Sequence, residues 1–257
     1  MLKILYISPE NTVGTLELWK KIHEGKGNIC RSITFFHSPK NYESDICLNL
    51  PMNFTKPLLK NVRHNFYKLY RGKLGYYKEK NGYPPIYSPE GNLDNLFFKL
   101  KDKLNEKRIM SAIKKNDLLN YDIYHLESGI GFFKNSRIIK ELAKNGKKIV
   151  CHYHGEDLRT RGVIPEIDKI SDLNLTNEVD LLERHPNINY LFLPFETKNY
   201  ISKSKLNKKL VISHAPTNRY YKGSNIIIPI CNKIAKKYDL EFKLIENLSH
   251  SKAMELK

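Results

Sequence analysis

Between residues 148 and 162 the chain reads Lys-Ile-Val-Cys-His-Tyr-His-Gly-Glu-Asp-Leu-Arg-Thr-Arg-Gly. An apolar run feeds directly into two histidines, two acids and two arginines. Imidazoles exchange protons near neutral pH, and the flanking ions can hold an anionic or hydroxylated ligand. His152 alternates with Cys151 and Tyr153 and reads as a packed strand residue. His154, past the strand and next to a glycine, reads as a ligand contact. Gly155 would let a ligand approach the backbone closely. Asp157 and Arg159 divide evenly between a helix N-cap with a surface ion pair and direct ligand contact. A second concentration of chemistry is Pro216-Thr217-Asn218-Arg219, followed by Lys222-Gly223 at the start of a helical pattern. Cations and free backbone N–H groups at a helix N-terminus suit a diphosphate.

The elements that must position these groups are short apolar runs alternating with helical patterns, which predicts an α/β protein with a parallel sheet. Strands are expected at Leu2–Ile7, Cys30–Phe36, Asp45–Leu50, Tyr121–Leu126, Lys147–Tyr153, Ile170–Thr176 and Ile188–Leu193. Helices are expected at Leu16–His23, Ser136–Leu142 and near Glu178–Glu183. Residues 51–92 break the rhythm with lysines, arginines, tyrosines and turn signals. Leu93, Leu96, Phe97, Leu100 and Leu104 then recur at helical spacing, which predicts an amphipathic helix to about Lys115 with its lysines as the wet face. The polar stretch 196–208 reads as a linker. Beyond it come a strand at Leu210–His214, a helix at Ser224–Lys237, a strand at Glu241–Ile245 and a helix starting at Ser249.

In open parallel sheets ligands bind beyond the carboxyl ends of the strands. That rule places His154, Gly155, Glu156 and Asp157, the turn Glu127-Ser128-Gly129, and the loop Asn11-Thr12-Val13-Gly14-Thr15 on one rim.

With 40% hydrophobic and 11% aromatic residues in 257, the chain falls outside the disordered class. No apolar run reaches secretory or membrane-spanning length. Cys30, Cys47, Cys151 and Cys231 lack metal-ligand spacing and read as reduced, buried thiols of a cytoplasmic protein. The net charge of +17 points to an anionic partner or to a solvated lysine-rich surface in equal measure. Nucleic acid is the lesser reading: the tyrosines of 66–87 lie among lysines, but the basic residues are scattered and no fold signature accompanies them.

Taken together, "YDIYHLESG", "HYHGEDLRTRG" and "VISHAPTNRYYKGSN" resemble retaining glycosyltransferases of the GT-B fold, family 4 type. The resemblance implies an α/β fold of GT-B type, with a complete N-terminal Rossmann-like domain (1–195) carrying a basic-aromatic insert at 51–115. The linker 196–208 and the first part of a second Rossmann-like domain (209–257) follow. It implies transfer of a sugar from a nucleotide-sugar donor to a carbohydrate or lipid-linked acceptor. His154 would contact the sugar, and Arg219, Lys222, Gly223 and Gly14 would hold the donor diphosphate. Glu127, Ser128, Gly129, Gly155, Asp157 and Arg159 would form the cleft rim. No metal or other cofactor is implied, because the basic pair takes the metal's place. The second domain would be cut short before the family's Glu-x7-Glu element, so the expectation is a truncated chain with little or no transferase activity. A non-catalytic sugar- or nucleotide-binding relic of the same fold is the alternative. Lys99, Lys101, Lys103, Lys107 and Arg108 raise the further expectation of peripheral docking on an anionic membrane, on its cytoplasmic face.

Overall fold

The computed structural model describes residues 1–38, 40–51, 77–78, 86–87, 92–155, 157–194, 208–216, 219, 222–248 and 252–253. The chain divides into two compact units, Met1–Phe195 and Glu196–Lys257. The turn signals of 51–92, the linker 196–208, Glu156, Thr217, Asn218 and the expected helix start at Ser249 lie largely or wholly outside the described residues.

Unit 1 is built on seven parallel strands: β1 (Lys3–Ser8), β2 (Ile29–Thr34), β3 (Ile46–Cys47), β6 (Ile123–Glu127), β7 (Lys148–Tyr153), β8 (Leu173–Thr176) and β9 (Asn189–Tyr190). Their order in space is β3-β2-β1-β6-β7-β8-β9, and every pair is parallel. Chain order runs outward from β1 in one direction, then returns and runs outward in the other. This is the order of a Rossmann-like α/β fold, and it leaves a crevice at the carboxyl ends of β1 and β6. A separate two-residue bridge joins β4 (Tyr77–Lys78) and β5 (Ile86–Tyr87), antiparallel.

Alternation along the central strands sends side chains to two buried faces, which is why these strands read as continuous apolar runs. Leu5, Ile7, Tyr124, Leu126, Ile149, Cys151 and Tyr153 pack on one face. They meet Ile109 and Ile113 of α2 (Asn92–Lys115), Ile138, Ile139 and Leu142 of α3 (Arg137–Lys144), and Ile167 of α4 (Pro165–Asp168). On the opposite face Ile4 and Tyr6 pack beneath Leu16 and Trp19 of α1 (Thr15–Glu24).

Several elements differ from expectation for identifiable reasons. The third strand shrinks to Ile46–Cys47, and that before residue 176 starts only at Leu173. Ile170 instead packs against the core from the turn after α4. The helix near Glu178–Glu183 is a single 3₁₀ turn, Val179–Glu183. In α2 the leucine stripe faces out: Leu96, Leu100 and Leu104 are 52–60% exposed. The inward line is Asp102, Asn105, Ile109 and Ile113, because Asp102 accepts the Lys134 N–H at 3.0 Å while the two isoleucines enter the core. Of the four thiols only Cys151 is buried; Cys30, Cys47 and Cys231 are half-buried. Among the described residues no helix is long and apolar enough to cross a membrane.

Unit 2 contains β10 (Val211–His214), α5 (Ser224–Lys237) and β11 (Glu241–Leu244), a β-α-β crossover whose two strands pair in parallel. Pro229 stands inside α5, and Leu210, Ile226 and Ile230 are exposed.

Candidate functional site

Two i, i+2 pairs on neighbouring strands build a buried polar cluster. His125 and Glu127 share one face of β6, and Glu127 stands opposite His152 in the β6–β7 register. His154 follows His152 by two residues and continues the same line past the end of β7. The outcome is one carboxylate ringed by three imidazoles. Glu127 Oε1 lies 3.2 Å from His125 Nε2 and 3.3 Å from His152 Nδ1. Glu127 Oε2 accepts from His154 Nε2 at 2.6 Å. His125, Glu127 and His152 are all at most 5% exposed, whereas a third of the His154 side chain reaches solvent. Trp19 of α1 roofs the cluster, its ring 5.8 Å from that of His125 and edge-on to that of His152 at 6.1 Å.

Charge follows from this packing. Burial alone would lift the Glu127 carboxyl, but the surrounding imidazoles outweigh it and hold the group well below the usual carboxylate range. Burial likewise works against a charged His154, yet the bond to Glu127 and its negative charge carry that imidazole up to about 9. His152 goes the other way, because burial pushes it down and Glu127 offsets this only in part. At neutral pH Glu127 is therefore charged and His154 is its imidazolium partner. Both ring nitrogens of His154 are engaged, since Nδ1 meets Asn177 Oδ1 at 3.1 Å.

Of the rim residues named from sequence, Ser128 and Asp157 bond to the backbones of His152 and His154, and the polar groups of the rim are largely satisfied from within. Ser128 and Gly129 are both left-handed, with φ of 63° and 57°. The Ser128 N–H donates to the His152 carbonyl at 2.7 Å, and the Ser128 carbonyl accepts from Arg161. Asp157 accepts the His154 N–H at 2.8 Å and so fixes the turn after β7. Arg159 donates to Glu178 and Asp180, which realises the surface ion pair. The glycines admit side chains where a ligand was expected. A Cβ on Gly129 would lie 2.5 Å from the Tyr153 ring, one on Gly155 would meet the Arg159 guanidinium, and one on Gly14 would meet Tyr42 at 3.0 Å. Gly14 is also the left-handed N-cap of α1, with φ 75°.

In unit 2, Gly223 is the left-handed N-cap of α5 and Lys222 beside it is exposed. Ser224 is buried and shares a 2.8 Å hydrogen bond with His214 Nε2, tying the end of β10 to the start of α5. Arg219 grips Glu246 through Nε at 2.9 Å and Nη2 at 2.6 Å.

Sequence reasoning missed two members of the cluster and, apart from them, one lysine whose charge is perturbed. His125 escaped because it sits inside a strand, although its i, i+2 spacing to Glu127 was readable as a shared face. Asn177 carries no local signal. Lys134, whose Nζ lies 5.0 Å from the Phe98 ring centroid, is pushed well below the ordinary lysine range by burial and then by Arg161 and Lys101. No protein-family model matches the chain, and no curated protein matches it.

Proposed function

We propose that the chain is a sugar-transferring protein of the two-lobed GT-B type, taking a nucleotide-sugar donor and a carbohydrate or lipid-linked acceptor. The observation that carries this reading is the His154–Glu127 pair, a fixed positive charge at the carboxyl end of β7, one strand from the reversal of strand order. A sugar hydroxyl replaces Asn177 on His154 Nδ1, the outer of the two ring contacts. In unit 2, Lys222, Arg219 and the first turn of α5 receive the diphosphate. Arg219 releases Glu246 to do so, at small cost, because water screens an exposed pair of this kind. In the reaction the bond from the anomeric carbon to the diphosphate oxygen breaks, its electron pair leaving with the diphosphate. An acceptor oxygen bonds to that carbon and gives up its proton to the departing phosphate. Side-chain cations, not a metal ion, meet the growing negative charge.

The exposed Leu96, Leu100 and Leu104 of α2, interleaved with lysines, support docking of the acceptor side on an anionic membrane. Sedimentation with anionic and with neutral vesicles tests this, and equal partition between them refutes it.

Calorimetric titration of the full chain with UDP, GDP and ADP tests the donor reading. Micromolar binding of one of them, weakened at least about tenfold by Arg219→Ala, is expected for a charge-assisted contact. Absence of binding to all three overturns it. The engagement of both His154 nitrogens favours a second reading, a binding module in which His154 organises the rim and performs no chemistry. Release of nucleoside diphosphate from a bound nucleotide sugar separates the two: the transferase produces it, the module does not.

A further inference from the structure

Two of the three imidazoles around Glu127 hydrogen-bond to it, His152 Nδ1 to Oε1 and His154 Nε2 to Oε2, and the third is mismatched. His125 Nε2 is buried 3.2 Å from Glu127 Oε1 and yet makes no hydrogen bond, so the ring aims beside the oxygen and not at it. A hydrogen bond needs the N–H vector to point at its acceptor. A shared cation needs the nitrogen and oxygen lone pairs to converge on a point between them. One ligand atom from each of His125, Glu127 and His152 lies within 4.8 Å of the other two. The separations of 3.2 and 3.3 Å from the two imidazoles to Oε1 match the edge of a tetrahedron built on bonds of about 2.0–2.1 Å, which is about 3.3 Å.

We propose that His125, Glu127 and His152 bind one divalent first-row transition cation between β6 and β7, beneath Trp19. Two imidazoles and one carboxylate suit zinc and its neighbours; calcium and magnesium want an all-oxygen shell. The strands supply the site through their pleat, since the i, i+2 pair of β6 and its register partner His152 on β7 put all three donors on one face. The outer contacts have the form found around metal ligands: Glu127 offers Oε1 to the ion and Oε2 to His154, which is held in turn by Asn177. With His125, Glu127 and His152 each at most 5% exposed, the ion is a structural tie across the carboxyl ends of β6 and β7. The inference rests on the geometry of this cluster and stands or falls apart from the transferase reading.

The test uses the full chain, freed of metal with a chelator and then titrated with zinc alone. One equivalent should bind with a Kd below about 1 µM, and the Co²⁺-loaded protein should develop visible d–d absorption of a low-symmetry site. The zinc-edge X-ray absorption of the wild-type chain should report N/O ligands at about 2.0–2.1 Å, with the outer-shell scattering of at least two imidazoles. His125→Asn should weaken zinc by about 10²-fold or more, while His37→Asn, away from the cluster, leaves it unchanged. Because a buried variant can fail to fold, the absorption spectrum of the wild type decides independently. Folded wild-type protein that takes up no zinc, zinc with fewer than two imidazole ligands, or zinc affinity that survives in folded His125→Asn each overturns the proposal.

Discussion

Three glycine-to-alanine substitutions separate the forces that hold the turn after β6. Gly129 is constrained twice, by a left-handed φ of 57° and by the Tyr153 ring 2.5 Å from where a Cβ would stand. Tyr153 is fully buried, so it cannot swing clear. Gly146 has φ 77° and open space around its Cβ direction, so it carries the backbone constraint alone. Gly131 carries the steric one alone, its Cβ falling 2.5 Å from Ile139 Cγ1. The left-handed conformation costs an L-residue about 1–2 kcal/mol. Overpacking a core contact costs about 1–3 kcal/mol. Gly146→Ala should therefore lose about 1 kcal/mol, Gly131→Ala about 2 and Gly129→Ala about 3. For a unit of this size 3 kcal/mol lowers Tm by about 6–12 °C.

The assay is urea unfolding followed by the fluorescence of Trp19, the sole tryptophan, buried in unit 1. It reports the unit that holds all three glycines. A loss at Gly129 no larger than that at Gly146 would mean that Tyr153 does not lock the turn. The rim would then not be packed from within.

Three further outcomes follow from the same packing. Asp45 accepts from Lys20 Nζ at 2.6 Å and from the Ser32 N–H and hydroxyl, which outweigh the cost of burial and depress its carboxyl. Its contribution is present above the unfolded carboxyl value near 3.9 and fades as pH falls through the lower folded value. Asp45→Asn should accordingly flatten that acidic arm of the stability–pH curve, and an unchanged arm would refute it. Arg159→Ala should cost less than about 1 kcal/mol, with the difference shrinking in high salt, because Arg159, Glu178 and Asp180 are all at least one-third exposed. Cys151, fully buried with its thiol pushed up to about 12 chiefly by burial, should resist a thiol reagent until urea unfolds unit 1, while the half-buried Cys30, Cys47 and Cys231 react earlier. Modification of Cys151 at the rate of the others would contradict its position.

The α/β class and the succession of strands were legible because a strand buried on both faces writes itself as an apolar run: Lys148–Tyr153 and Lys3–Ser8 fall within one residue of expectation. The edges were less legible, since an apolar residue such as Ile170 can reach the core from a turn as readily as from a strand. His154 was readable from its position after β7. Its partner Glu127 was placed on the rim, but their bond depends on register between strands distant in sequence, which no local pattern encodes. The same limit explains His125 and His152. Alternation shows which way a side chain points, but what it meets across the sheet depends on the neighbouring strand. The glycines teach a related point. Residues 14, 129 and 155 announce that something comes close, and at all three the close neighbour is a side chain of the protein itself.

The two charged elements proposed to meet the donor differ in how readily they can respond to it. Arg219 and Glu246 form a pair in unit 2 with more than half of the arginine side chain exposed, so water screens it and another anion can exchange for the carboxylate. Glu127 and His154 form a pair whose acid is buried, so breaking it takes away part of the compensation of a buried charge and costs more than breaking the exposed pair. A ligand approaching unit 1 therefore cannot compete for the Glu127 side of His154 and must arrive on the side that Asn177 holds. That contact joins an imidazolium to a neutral amide at 3.1 Å, against 2.6 Å to the carboxylate, and is the weaker of the two. Substituting Asn177 by alanine should thus expose Nδ1 without disturbing the Glu127 bond. If His154 faces the sugar, an added hydroxyl-bearing ligand should bind the variant at least as tightly as the wild type. A loss of sugar affinity in folded Asn177→Ala, with nucleoside diphosphate affinity retained, would instead make Asn177 itself the contact and His154 only its support.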